Sequence, residues 1–463
     1  MARSYLETER PIAALATSPG RAALAVIRCA GPGSIELCAR CFRPAAALLE
    51  APGHTLVHGY LHDPAQGDDI DEVVAAVYRA PRSFTGEDSV ELSCHGSPAV
   101  VQRVLKVLEA AGFLPALPGE FSFRAFAHGK TDLVRAEAIN ELAGARSEAA
   151  RADALARLHG LLSARLSALR SSMLDVLAEV EARLDYPEDE SEDLAGEAPW
   201  IRRLEAVEKE LALLSASFLG GRLRQEGALV VVAGRPNAGK SSLFNLVARE
   251  ERAIVGPDPG TTRDWLEIWI EIGSFAVRLV DTAGLRHTME EIEAEGVRRS
   301  LDLSARADLL IYMVDGTSGL SQEDTSFIEG HPESLLIWNK IDKPGCAPLP
   351  PGWLGLSAKK GTGLPLLEEA IRSMLAQRAG NRQDDGTARY EQEVRIAGQR
   401  QKSLVDASLA AIRQALASLS AGASLDASAL DIREAADSIG QITGEIVDDE
   451  VFDRIFSSFC LGK

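Results

Sequence analysis

No apolar run in the 463 residues approaches the roughly 20 that a helix needs to cross a bilayer; 309–314 is among the longest. The first ten residues hold no apolar core and already carry acids, so they read as neither a secretory signal nor a transit peptide. Cysteine is scarce, six in all, too sparse for a disulfide scaffold and in keeping with a reducing cytoplasm. Cys38 and Cys41 form the only C-x-x-C, in an alanine-rich stretch expected to be helical with no second pair, and no metal or redox role is assigned to them. Positive charge is also short: 49 Lys and Arg against 68 Asp and Glu leave a net −19. That argues against a protein that coats nucleic acid, whose affinity comes mostly from Lys and Arg on phosphates. A local basic patch, or a partner that supplies one, stays open.

What remains is an ordinary globular balance, 46% apolar and 25% charged. The length suggests two to four domains at roughly 100–200 residues each. Residues 1–120 mix short β-type runs (22–28, 72–78, 89–93) with Gly and Pro turns, an α+β texture. From Leu133 to Leu184 the pattern is helical. Leu155, Leu158, Leu162, Leu166, Leu169, Met173, Leu177, Val180 and Leu184 advance by three or four, one apolar stripe that needs another helix to cover it. The acid-rich segment 185–194 reads as an exposed loop, and a second helix is expected from Trp200 to about Phe218. Residues 228–376 alternate buried strands with helices, and helical texture returns after the polar linker 380–388.

The middle segment carries the chemistry. The apolar run 229–233 leads into Gly234-Arg-Pro-Asn-Ala-Gly-Lys-Ser241, a match to G-x-x-x-x-G-K-[ST]. Its glycines let backbone N–H groups close around phosphate oxygens, and the following helix adds the positive end of its dipole. In that arrangement Asn237, Ala238, Gly239, Lys240, Ser241 and Ser242 cradle phosphate, Lys240 reaches the β- and γ-phosphates, and the Ser241 hydroxyl holds Mg²⁺. Thr261 and Thr262 follow, with Thr262 placed to sense the γ-phosphate and complete the Mg²⁺ shell. Asp281-Thr282-Ala283-Gly284 comes after the strand 276–280; the aspartate should hold Mg²⁺ through water and the Gly284 N–H should contact the γ-phosphate. Asn339, Lys340 and Asp342 then spell N-K-x-D, where the Asp342 carboxylate accepts two hydrogen bonds from the guanine edge and adenine would leave it unsatisfied. Ser357, Ala358 and Lys359 complete the base pocket. Sites of this kind in this order define a GTPase. The position where many relatives of Ras carry a water-orienting glutamine is Leu285, so the activation device must differ.

The flanking segments resemble the MnmE (TrmE) family of tRNA-modifying GTPases along the whole length. The residues that carry the resemblance are Pro81-Arg-Ser-Phe-Thr-Gly-Glu-Asp88 with Val90-Glu-Leu92 and Cys94-His-Gly96. They continue with Pro118-Gly-Glu-Phe121, Arg124-Ala-Phe126, Gly129-Lys130, Lys130-Thr-Asp-Leu133 and Ala136-Glu-Ala138, and end with Phe456-Ser-Ser-Phe-Cys-Leu-Gly-Lys463. The resemblance implies a multidomain α/β and α fold. An N-terminal α+β domain (1–130) would dimerise and bind tetrahydrofolate. A split all-α helical domain (131–226 and 378–463) would flank an inserted Ras-like P-loop GTPase domain (227–377).

It further implies a cytoplasmic homodimer whose G domains pair during turnover, and an FAD-containing partner of the MnmG (GidA) type. With that partner the protein would install a carboxymethylaminomethyl-type group at C5 of the wobble uridine of certain tRNAs, using a one-carbon unit from 5-formyl- or 5,10-methylene-tetrahydrofolate. Carried over residue by residue, Arg28, Glu91, Lys130 and Lys463 would contact folate. Cys460 would either join the modification chemistry or serve as a structural cysteine. Glu293 would orient the attacking water, and Asn237 would bind K⁺ together with the loop holding Gly256, Asp258 and Thr261. The residues read alone also allow bland roles: an ion pair for Glu91 and Lys130, a turn for Asn237, one more charge on a solvated helix for Glu293.

Two departures from the family pattern stand out. Pro257 and Pro259 sit in the loop 255–260, and Ser97 replaces the second glycine of H-G-G. Two other readings stay open beside the tRNA-modification one: a ribosome-assembly or signalling GTPase without folate chemistry, and a folate-dependent transferase with a regulatory GTPase. The tryptophans Trp338, Trp265 and Trp269 are expected to report nucleotide binding, since they lie beside the base motif or after the switch threonines.

Overall fold

The computed structural model describes residues 5–6, 8–185, 199–249, 267–281, 306–380, 394–421, 424–446 and 449–462. Two compact units emerge: Met1–Asn140 with Leu158–Arg170 and Ala436–Lys463, and Glu141–Arg157 with Ser171–Ala435.

The first unit is built on a seven-stranded sheet. Its strands are β1 (Ile12–Leu15), β2 (Leu24–Ala30), β3 (Phe42–Arg43), β4 (Thr55–His62), β5 (Asp69–Tyr78), β6 (Ser89–His95) and β7 (Leu114–Pro115), in the order β3-β4-β5-β6-β2-β1-β7. Only β1 and β7 pair in parallel. Alternation explains the two faces. Ala25, Ile27 and Cys29 of β2, Val73, Ala75 and Val77 of β5, and Val90, Leu92 and Cys94 of β6 point into a core with the helices Ser34–Arg40 and Pro98–Ala111. Arg28 and Glu91 fall at the intervening positions and pair across β2 and β6. Cys38 lies in the expected helix, and Cys29, Cys38, Cys41 and Cys94 are buried free thiols of this core. Ser97 has φ −97°, extended backbone that any residue adopts, so serine in place of the usual glycine costs nothing there. Gly96 is different, because a Cβ would come within 2.5 Å of the Ala22 carbonyl.

A fully buried guanidinium organises the loop before β6. Arg124 donates to Glu87 at 3.1 Å, to Glu120 at 2.9 Å and to the Arg10 carbonyl at 2.7 Å. The chain's C-terminal end returns to this unit through the helix Asp449–Phe456, where Phe456 and Phe459 pack with Phe123 and Tyr5.

The second unit contains a six-stranded sheet ordered β13-β12-β11-β8-β10-β9. Its strands are β8 (Ala228–Ala233), β9 (Glu267–Ile272), β10 (Phe275–Asp281), β11 (Leu309–Asp315), β12 (Leu335–Asn339) and β13 (Leu354–Leu356). All neighbours are parallel except the β9–β10 hairpin. The central strands are apolar on both faces because both are covered: the helices Lys240–Arg249 and Leu364–Arg378 pack on one side and Gln322–Gly330 on the other. Helices Pro199–Gln225 and Gln399–Ser420 pack together in the same unit, joined by Ser215 to Asp406 at 2.7 Å and Arg413 to Glu208 at 2.8 Å.

The leucine stripe is interrupted where one continuous face was expected. Glu148–Leu158 ends before Gly160, whose φ of +85° lies in the left-handed region, and Leu161–Asp185 begins a new helix. Leu162, Leu166, Leu169, Met173, Leu177 and Val180 are buried, whereas Leu155 and Leu158 are only half-buried. The helix expected to end near Phe218 continues to Gln225, through Gly220 and Gly221. Those glycines are dictated by packing: a Cβ on Gly221 would stand 2.2 Å from the Ile396 carbonyl. The acid-rich run 186–194 lies outside the described residues. No described helix is long and apolar enough to cross a membrane.

Removing one member of a buried charge cluster leaves its partners uncompensated, at a cost of about 3–5 kcal/mol. Arg124→Ala should therefore lower the unfolding transition of the first unit by that order, with early loss of amide protection in β2 and β6. Burial pushes the Glu87 carboxyl above its ordinary value, against the pull of Arg124 and His128. Its stabilising contribution is complete below the ordinary carboxylate value and fades as pH rises through the raised one. Glu87→Gln should flatten that part of the stability–pH curve, and an unchanged slope would count against the assignment.

Candidate active site

Parallel strands gather ligand-binding groups at their carboxyl ends, and this sheet does so. β8 ends at Ala233, β10 at Asp281, β11 at Asp315, β12 at Asn339 and β13 at Leu356, with Asp281 in register with Val232 and Asp315 with Asn339. The phosphate loop 234–239 leaves β8 and turns into the helix Lys240–Arg249. Three left-handed residues shape it: Gly234 at φ 144°, Asn237 at 64° and Gly239 at 106°. Two of these positions admit no side chain. A Cβ on Gly234 would meet the Met313 carbonyl at 2.3 Å, and one on Gly239 would meet Asn339 Nδ2 at 2.0 Å. Asn237 is exposed and left-handed, a conformation asparagine tolerates, so its backbone role accounts for the residue type before any ligand is considered.

Lys240 is 4% exposed and its ammonium donates to the carbonyls of Gly234 at 2.7 Å and Arg235 at 2.9 Å. Asp281 is equally buried at the end of β10. Ser241 and Ser242 are exposed at the start of the helix, where the first-turn N–H groups and the dipole favour an anion.

Asn339 has a role the motif alone did not reveal. Its side chain, 1% exposed, donates from Nδ2 to the Ala238 carbonyl at 2.7 Å and accepts from the Ala358 N–H at Oδ1, 3.0 Å. One amide thus ties the phosphate loop to the loop of Ser357, Ala358 and Lys359. Beside it the Ser357 hydroxyl donates to Asp342 at 2.7 Å, and that hydrogen bond holds the carboxyl below its ordinary value. Asp342 is then an obligate acceptor near neutrality, as the N1–H and N2–H₂ edge of guanine requires. Lys340, at φ 65°, donates to Asp315 at 2.5 Å. Burial opposes ionisation of Asp315, but the bonds from Lys340 and Thr317 outweigh it and leave the carboxyl below its ordinary value. Asp315 was not singled out from the sequence, although a carboxylate closing an apolar strand at the ligand end of a sheet is a readable signal.

The structure brings together Asn237, Ala238, Gly239, Lys240, Asn339, Asp342, Ser357 and Ala358, with Asp281 on a neighbouring strand end. Gly256, Asp258, Thr261, Thr262, Thr282, Ala283, Gly284 and Glu293 lie outside the described residues, as do the two prolines of 255–260, Leu285 and Trp265. Trp338 points away from this pocket: its ring is 3% exposed in the core of the opposite sheet face, edge-on to Trp353 at 5.3 Å, with its N–H on the Ala347 carbonyl. A direct report from Trp338 on the base is therefore not expected.

A second polar cluster lies in the first unit. Arg28 donates to Glu91 at 2.9 Å and to the Gly462 carbonyl at 3.4 Å, and its guanidinium lies 5.3 Å from the Phe84 ring and 5.5 Å from that of Phe121. The Arg28 and Glu91 side chains keep about a quarter of their surface open. Lys130, just after the helix Glu120–Ala127, donates to the Pro81 carbonyl of the loop before β6 at 2.9 Å. Cys460 is exposed, and its carbonyl accepts from the Gly119 N–H at 3.3 Å. Lys463 lies outside the described residues.

The family described as GTP-binding protein TrmE N-terminus matches residues 11–130, and that described as MnmE helical domain matches 133–460. The tRNA modification GTPase MnmE of Salinibacter ruber is 42% identical over 461 residues, covering 98% of this chain and 99% of its own. Its namesake in Chlorobium phaeobacteroides is 40% identical over 478 residues, with 98% and 97% covered. That of Thermus thermophilus is 39% identical over 461 residues, with 98% and 99% covered.

Two substitutions separate the tasks of the pocket. Asn339→Ala strands two buried backbone groups, each worth about 1–3 kcal/mol, and should weaken GDP and GTP alike. Asp342→Asn should instead weaken GTP and gain xanthosine triphosphate, because the amide can donate to the 2-oxo group. Calorimetry showing wild-type GDP affinity in the first variant, or wild-type GTP affinity in the second, would reject the respective role.

Proposed function

The chain belongs to the MnmE family of tRNA modification GTPases, and on that premise we propose a potassium-stimulated GTPase that works with an FAD-containing partner and tetrahydrofolate at the wobble uridine of certain tRNAs. GTP hydrolysis in the service of tRNA modification is the family's activity. The observation that carries the nucleotide reading is the Asn339 amide joining a phosphate loop to a guanine-type carboxylate pocket. The finer parts rest on the resemblance: carboxymethylaminomethyl-type transfer at C5, a homodimer formed through residues 1–130, G-domain pairing by 227–377, a helical domain made of 131–226 and 378–463, and a cytoplasmic location.

The residues suit the groups they would hold. Ser241 and Asp281 offer hard oxygen donors beside the phosphate loop, as Mg²⁺ prefers. Lys240 donates to two carbonyls of that loop and would also reach β- and γ-phosphate oxygens. Arg28 and Glu91 form a half-open pair beside aromatic rings, a donor and acceptor set that fits the polar edge of a pterin. Mg²⁺ and K⁺ would supply charge neutralisation along the phosphates when bound. This chain's own contribution is positioning: Asn237 offers an exposed amide oxygen at the phosphate loop for K⁺, and Glu293 would orient water in place of the glutamine that Leu285 displaces.

Potassium decides the proposal most directly. GTP turnover should be faster in potassium than in sodium chloride at matched ionic strength and should rise with protein concentration. Asn237→Ala should lose the response; equal turnover in both salts would reject the cation mechanism. For the second cluster, Arg28→Ala should weaken tetrahydrofolate binding while GTP turnover holds, and unchanged folate affinity by calorimetry would reject that assignment.

A further inference from the structure

Trp269 lies in β9, in register with Arg278 of β10, three residues before Asp281 at the strand end of the nucleotide site. Its ring is held from two sides. The backbone of Gly227 passes beneath it so closely that a Cβ would stand 2.6 Å from the ring, and φ at that glycine is +86°. On another side the Arg146 guanidinium sits 4.2 Å from the ring centroid, well inside the distance for a cation–π attraction. The indole N–H is directed to Glu267 at 3.0 Å, and Glu267 also receives Arg278 at 2.6 Å.

Arg146 belongs to the segment 141–157, which clusters with the nucleotide-binding sheet in one compact unit. A second contact runs alongside, from the Glu148 N–H to Glu271 at 3.5 Å. The far end of the segment is anchored where the chain enters and leaves that sheet. Arg157, 3% exposed, donates to Glu141 at 2.8 Å, to Gln225 at 3.1 Å and to the Arg395 carbonyl at 3.4 Å. The segment therefore touches the β9–β10 hairpin at one end and grips both chain crossings at the other.

We propose that Arg146 is a positioning residue that couples the β9–β10 hairpin to the helical segment 141–157, through its stack on Trp269, so that a change at the nucleotide site reaches the helices. The proposal rests on the reading of the chain as a GTPase whose cycle drives tRNA modification. Arg146 touches no group assigned to nucleotide binding, so its loss should uncouple the two activities and leave hydrolysis in place.

The test uses full-length variants in cells lacking their own copy of the protein, with mass spectrometry of tRNA wobble nucleosides, and basal GTP turnover and melting of the purified chains. Arg146→Gln should lower modification by roughly two- to thirty-fold, the range that coupling energies of this kind span, at wild-type turnover and melting. Trp269→Ala should lower modification to a similar extent at wild-type turnover, with a lower melting temperature from the lost ring packing. Arg146→Lys and Trp269→Phe, which keep the cation and the π face, should restore most of it. The double variant Arg146→Gln with Trp269→Ala should be no worse than either single change. Wild-type modification by Arg146→Gln would overturn the proposal, as would a parallel fall in that variant's basal turnover or melting. The wild-type chain in the same cells tests the broader function separately, since its failure to restore the nucleoside would fault that reading.

Discussion

A single buried carboxamide holds the candidate nucleotide site together. Asn339 has one donor and one acceptor aimed at two loops far apart in sequence, and both backbone groups it satisfies are inside the protein. Gly239 is a glycine because the Asn339 amide occupies the space a Cβ would need. β12 has to end where it does, since a shift of one residue would turn the amide to the other sheet face and bring Trp338 into its place. The cost of leaving the Ala238 carbonyl or the Ala358 N–H unpaired fixes the register of β12 and β13 more firmly than the short strands could by themselves.

The same constraint accounts for the state of the surrounding charges. Lys240 is folded back on its own loop, and Lys340 is turned onto Asp315, so both cations have partners within the site. Asp342 has its acceptor face tuned by Ser357. These hydrogen bonds fix the orientation of the pocket's polar groups, and a fixed site lowers the ordering cost of binding. In the first unit the polar cluster at Arg28 is built differently: adjacent strands place Arg28 and Glu91 side by side, and an aromatic contact from the far end of the chain returns Gly462 to them.

The geometry of the candidate nucleotide site was legible because its residues sit in short, fixed spacings whose chemistry is local: Gly234 and Gly239 shape a turn within a few positions of the helix that carries Lys240 and Ser241. The alternation in 72–78 and 89–93 likewise foretold β5 and β6, with ends misplaced by a few residues. Long-range pairings were not legible. Nothing near Asn339 announces that its partners are Ala238 and Ala358, and nothing near Arg124 announces Glu87 and the Arg10 carbonyl. The break at Gly160 was hidden by a leucine spacing that continues across it; a left-handed glycine ends the helix without disturbing the apolar period. Trp269 was read as a reporter of the switch region, whereas its ring lies between Gly227 and Arg146, a contact that only the folded sheet creates.

A bridge made wholly of the protein's own groups should stand without a nucleotide. Native-state hydrogen exchange at the Ala358 amide, in nucleotide-free protein, tests it most directly. This N–H, bonded to a buried carboxamide, should exchange as slowly as the interior of β12 and change little when GDP is added. Rapid exchange without nucleotide, becoming slow only on addition of GDP, would mean instead that the ligand builds the bridge.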